Sequence, residues 1–221
     1  MQGIGRKSLN DIFSPLVLSF ILKIGFGSIL FWIIVLSIFW GEYSSLVSSL
    51  IAKIPLIGSW EWLQSGGSVV FALLFGYILI IISISTLTSI FSEPILIKLA
   101  KKHYPDIEVV GSPNIAKSLL VTLKASGVFL VLFILTSPLL FVPILGQVWM
   151  LWLWSILLKE PTAYDVGSLF ISDRSILKIK QKKSRVISII ASLFNYIPFL
   201  NIFAPLFGQI LFLHHILRGK N

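Results

Sequence analysis

The sequence predicts an all-α integral membrane protein, and three observations predict it. It is 56% hydrophobic and only 12% charged. Its mean hydropathy is +0.95. Its apolar residues gather into long stretches near 15–40, 68–91, 126–158 and 186–217. An ordinary soluble domain is far less apolar than this. At 221 residues the chain forms one membrane domain, with no room for a soluble domain of normal size.

The first two stretches are continuous over about 24–26 residues, enough to cross a hydrocarbon core of about 30 Å. Arg6 and Lys7 precede the first, as in a signal peptide, but the apolar run continues to Trp40 without a small-residue cleavage site. A retained span is expected. The last two stretches are interrupted at paired prolines, Pro138 and Pro143 in one, Pro198 and Pro205 in the other. The segment Pro143-Ile-Leu-Gly146-Gln147 recurs as Pro205-Leu-Phe-Gly208-Gln209. Paired broken helices in corresponding places point to a transport site.

Charge decides how these elements are expected to cross. Segment 41–67 holds Lys53 as its one cation, with Trp60 and Trp62 suited to an interface. Segment 92–125 holds Lys98, Lys101, Lys102, Lys117 and Lys124, and segment 159–185 is the most basic of all. Four simple spans would put 159–185 outside, against the positive-inside rule. The conflict disappears if 126–158 and 186–217 enter and leave on the cytoplasmic side. The expectation is therefore two full transmembrane helices, two hemi-penetrating (re-entrant) helical hairpins, and short cytoplasmic helices in 92–125 and 159–185, with both termini cytoplasmic. Half-helices of about 12–16 residues, or about 18–24 Å, are too short to cross comfortably. Four spans with proline kinks are the alternative.

The net charge of +9 comes from basic residues bordering apolar runs, which suits anionic lipid head groups rather than nucleic acid. Asp173–Arg185 mixes Ile176, Leu177 and Ile179 with basic residues. It reads equally as a helix on an anionic membrane surface or as a solvated topology signal. Cysteine is absent, so disulfides and thiolate metal sites are excluded.

The hairpin apices carry the chemistry. Proline at a helix start wastes no donor, so Pro143 and Pro205 fit the first turns of the second half-helices. Free backbone N–H groups there, with the helix dipole, favour an anion. Gly146 and Gly208 of the repeated segment are candidate site residues, and Gln147, Asn201 and Gln209 add neutral donors. Those amides could equally satisfy backbone groups freed by the prolines. Lys23, the one charge within the first span, is either an anion-attracting residue or a snorkelling one. His214 and His215 are expected at the interface rather than as metal ligands, and Glu93 is expected to cap the helix after the second span. No phosphate loop, metalloprotease motif or nucleophile elbow occurs, so neither an enzyme nor an ATP-driven pump is expected, and no cofactor or metal is implied.

Four stretches in fixed order resemble the CysZ and etoposide-induced-protein family: Ser92-Glu93-Pro94, the Pro-Ile-Leu-Gly run at 143–146, Ala163-Tyr164-Asp165, and Ile197-Pro198-Phe-Leu-Asn201 with Pro205 and Gly208. They cover about residues 70–215. The resemblance implies sulfate-permeable channels or permeases with two true spans, hemi-penetrating hairpins and a tendency to oligomerise. The sequence departs from the family where an arginine pair is replaced by Lys23, where Pro-Phe-Asn becomes Pro94-Ile95-Leu96, and where Val166-Gly167-Ser168 replaces an Asn-His. The expected function is thus a small-anion channel or permease of the inner membrane, with sulfate the leading substrate and a homo-oligomeric assembly. A non-transporting scaffold that shapes or binds lipid is the rival. A lipid-acting enzyme ranks third, because no nucleophile has a base.

Overall fold

The computed structural model describes residues 2–53, 67–136, 139, 142–173, 175–177, 184–197 and 200–218. The expectations attached to Trp60, Trp62, Pro138, Pro198, Arg174 and residues 178–183 lie outside the described residues. The described residues are mostly helical, with no strand among them. The helices are α1 (Gln2–Ile12), α2 (Pro15–Ile38), α3 (Trp40–Ala52), α4 (Ser68–Phe91), α5 (Glu93–His103), α6 (Ile115–Leu135), α7 (Leu145–Phe170), α8 (Arg185–Ser192) and α9 (Ala204–Leu217). Short 3-10 turns occupy Leu193–Tyr196 and Leu200–Phe203.

Among the described residues, four helical segments are long and apolar enough to cross a membrane: Pro15–Ile38, Ser68–Phe91, Ile115–Phe133 and Leu200–Leu217. The first three bury only 17%, 18% and 11% of their most apolar window, so each turns most of its apolar surface outward, as lipid-facing helices do. The fourth buries 67%, which makes it a packed core helix.

The chain divides into two compact units. The smaller, Leu22–Thr86, holds α3 with the adjoining parts of α2 and α4. The Trp32 indole donates to Ser83 Oγ at 2.8 Å, and the Tyr43 hydroxyl donates to the Ala72 carbonyl at 2.6 Å. Gly76 lets α4 approach closely, since a Cβ there would lie 3.1 Å from Leu36 Cδ1. An apolar cleft bordered by Trp32, Trp40, Gly76 and Tyr77 lies within this unit.

The larger unit, residues 1–21 and 87–221, is built around α9. Leu206, Ile210, Leu213, Ile216 and Leu217 are fully buried there. They share one core with Ile12 of α1, Leu96 and Leu99 of α5, and Val166, Leu169 and Phe170 of α7.

Two sequence expectations about boundaries change. The helices flanking the first break have 21 and 26 residues, about 31 and 39 Å at 1.5 Å per residue, instead of 12–16 residues. Lys117, Lys124, Lys159 and Glu160 lie inside them rather than ending them, and α7 runs on through Pro161. Burial of Thr162, Ala163, Asp165 and Val166 against the core offsets the lost backbone bond. Glu93 does not cap α5. Ser92 holds the N-cap position and Glu93 is the first helical residue, with Pro94 following.

Candidate functional site

At the first break, Pro143 sits before α7 rather than in its first turn. Ile144 occupies the N-cap position with φ 65°, a left-handed conformation that β-branched residues rarely adopt. Its side chain is 80% exposed. The amides of Leu145 and Gly146 already donate to the carbonyls of Pro143 and Val142, at 2.7 and 2.8 Å. Those two N–H groups are therefore not the open anion donors that the sequence led us to expect. Gly146 is buried and Gln147 exposed. The break is held by the Trp149 indole, which donates to Thr136 Oγ1 at 2.7 Å.

At the second break, Pro205 takes its expected place in the first turn of α9. The 3-10 turn at Leu200–Phe203 runs straight into that helix, and the Asn201 amide donates to the Ile197 carbonyl at 3.2 Å. Asn201, Gly208 and Gln209 are buried, and Pro205 is half-buried. The two breaks meet at one point: the Tyr196 hydroxyl donates to the Gln147 carbonyl, and the Tyr196 ring lies 5.2 Å from that of Trp154.

Gln147 and Gln209 nevertheless serve different surroundings. Gln209 turns toward Asp165, whose carboxylate is 2% exposed, and hydrogen-bonds to it. Ser118 Oγ donates to Asp165 Oδ1 at 2.5 Å, and Ser89 Oγ donates to Oδ2. One buried carboxylate thus gathers donors from α4, α6 and α9 onto α7. The buried Oε1 of Gln209, which can only accept, has no hydrogen-bond partner. That polarity does not suit an anion. Lys23 is exposed and belongs to the smaller unit.

Two groupings escaped the sequence reading. The first is a small pocket of about 100 Å³ bordered by Lys124 of α6, Lys159 and Glu160 of α7, and Arg185 of α8. Among the described residues none of the three cations has an ion pair, since the salt bridges all involve Asp11. Arg185 lies over the Trp152 ring, 5.4 Å from its centroid. That contact orients the guanidinium without neutralising it.

The second grouping surrounds Asp11. Its Oδ2 lies 2.8 Å from His103 Nε2 and 2.9 Å from His214 Nε2, and Lys102 Nζ reaches its Oδ1 at 3.4 Å. His214 is fully buried within the larger unit. Sequence adjacency to His215 and the basic tail concealed a partner at the far end of the chain. Burial pushes the Asp11 carboxyl up. Hydrogen bonds from His214 and His103, with the charge on those rings, outweigh this and bring it from 3.8 down to about 2.

The order of these elements, with Asp165 and the two breaks in the larger unit, accords with a single family model. Residues 6–205 match the family described as Sulfate transporter CysZ/Etoposide-induced protein 2.4. The chain belongs to this family. No curated protein and no solved structure matches it. For a CysZ/etoposide-induced-protein member, the four long apolar helices among the described residues accord with a membrane protein. Within it, Asp165 of the Ala163-Tyr164-Asp165 stretch ties helices together, and the glycine at 208 admits close packing. A Cβ at Gly208 would lie 3.5 Å from that of Ala191 and 3.7 Å from Thr162 Oγ1.

Proposed function

We propose that this member of the family passes a small sulfate-like anion across the inner membrane as a channel or permease. The observation that carries this reading is the convergence of three cations, Lys124, Lys159 and Arg185, on one pocket with a single carboxylate, Glu160, and with no salt bridge to any of them among the described residues. Charge-assisted hydrogen bonds from Lys and Arg are the strong ones for an oxyanion, and Arg presents a fork that matches its geometry. Glu160 at the same rim opposes overly tight binding, as conduction requires that an ion also leave. Gln147, exposed beside the first break, is the apical amide still available to a passing solute.

In this reading α6–α7 and α8–α9 are re-entrant hairpins, α2 and α4 are the full spans, and both termini are cytoplasmic. The basic segments then rest against anionic lipid head groups. Two spans enclose little volume, so several copies of the chain build or surround the path, and Lys23 draws the anion toward it.

Equilibrium dialysis of radiolabelled sulfate against the detergent-purified chain tests the pocket directly. Arg185→Gln and Lys159→Gln should each weaken binding about tenfold to hundredfold, the value of one charge-assisted hydrogen bond. Exposed Lys98→Gln on α5 should leave it unchanged. Equal binding in all four proteins would remove the pocket from the account.

A further inference from the structure

We propose that Asp11, His103 and His214 form a binding site for a divalent transition-metal ion of the zinc class. Each residue offers one ligand atom, and the three atoms lie within 4.8 Å of one another. They come from separate elements: the last turn of α1, the final residue of α5, and α9. A bound ion would therefore fasten the N-terminal helix to the core of the larger unit. This proposal stands apart from transport and does not depend on it.

The donor set selects the ion. Two imidazoles and one carboxylate suit zinc and its first-row neighbours, whereas magnesium and calcium take oxygen ligands. The Asp11 and His214 side chains are 1% and 0% exposed, but that of His103 is 20% exposed. That side gives an ion its way in and leaves room for water as a fourth ligand. Ligand atoms around a tetrahedral zinc sit about 3.4 Å apart, given bonds of about 2.1 Å. Here the imidazole nitrogens stand 2.8 and 2.9 Å from the carboxylate oxygen. Entry therefore asks the side chains to part by about half an ångström.

Tyr104 supplies the support such a ligand needs. Its hydroxyl lies 3.1 Å from His214 Nδ1, which leaves Nε2 facing Asp11. With an ion on Nε2, the ring proton moves to Nδ1 and is donated to the Tyr104 oxygen. Outer partners of this kind orient metal-binding histidines. Lys102, the competing cation, has a side chain 60% exposed and can swing into solvent when an ion arrives.

The test uses the full chain, purified without a histidine tag, stripped with a chelator, and titrated with Co²⁺ and then Zn²⁺. Calorimetry and visible cobalt absorption should give one ion per chain, with the bands of a four-coordinate ion. His103→Gln should abolish both signals, and His215→Gln should keep them. Tyr104→Phe should weaken binding about tenfold to hundredfold. His103 is the partly exposed ligand, so its replacement keeps the test decisive if Asp11 or His214 variants fail to fold. No cobalt signal in folded wild-type protein, or an unchanged signal in His103→Gln, would overturn the site.

Discussion

The Nε2 atom of His214 lies 2.9 Å from Oδ2 of Asp11, joining residues 203 positions apart. Both side chains are removed from solvent, so the pair locks α1 onto α9 at the centre of the larger unit. Asp11→Ala should strand a buried imidazole and cost about 1–3 kcal/mol. Denaturant unfolding in detergent, read by tryptophan fluorescence, checks this. A loss within experimental error of exposed Asp173→Ala would show that the link carries no stability.

Acid should weaken the same link, and the sign follows from the carboxyl's depressed value. Its folded value is about 2 against an ordinary 3.8. Its contribution is therefore fully present above about pH 4 and is lost as pH falls through about 2. In chelator-treated protein, pepsin should release the α1 segment only toward that lower limit. Release already complete near pH 4 would contradict the assigned hydrogen bonds.

Asp165 should behave as a structural hub. Its removal by Asp165→Ala leaves Ser89, Ser118 and Gln209 without their shared acceptor, at a cost of about 1–3 kcal/mol or more. Ser118→Ala should cost less, about 1 kcal/mol, because Asp165 keeps other donors. Thermal unfolding of both variants ranks them. The reverse order would place the hub elsewhere.

The two repeated amides should separate in function. Gln147→Ala should lower anion flux with little effect on stability, since its side chain is exposed. Gln209→Ala should instead lower stability through Asp165. Paired measurements of uptake and unfolding distinguish these outcomes, and a shared loss of flux at full stability would restore a joint amide site.

Gly208 offers a graded check on packing. A methyl there meets only ordinary contacts, so Gly208→Ala should be neutral or stabilise by about 0.5–1 kcal/mol through helix propensity. Gly208→Leu should overpack α9 against Ala191 and Thr162 and cost about 1–3 kcal/mol. Melting temperatures of the two variants read the difference.

What was legible in the sequence was what periodicity and length encode. The all-helical class, the extents of α2 and α4, and the position of Pro205 all follow from local signals. The α7 start was not legible, because nothing in Pro143-Ile144 announces a left-handed isoleucine. The helices flanking the first break extend beyond the apolar stretches, because α6 and α7 continue past Lys124 and Lys159. The Asp11–His214 and Ser118–Asp165 contacts were out of reach for another reason. Each joins residues distant in sequence, and only the packing of α9, α1, α6 and α7 brings them together. Lys124, Lys159 and Arg185 are visible one by one in the sequence as topology signals, but their convergence on one pocket is not.

The most direct test of the account is uptake of radiolabelled sulfate into proteoliposomes holding the folded, inserted chain, beside empty liposomes and liposomes holding Arg185→Gln. The account predicts protein-dependent uptake that excess unlabelled thiosulfate suppresses and that Arg185→Gln reduces. Uptake no greater than in empty liposomes would contradict it and turn attention to lipid scaffolding by the basic segments.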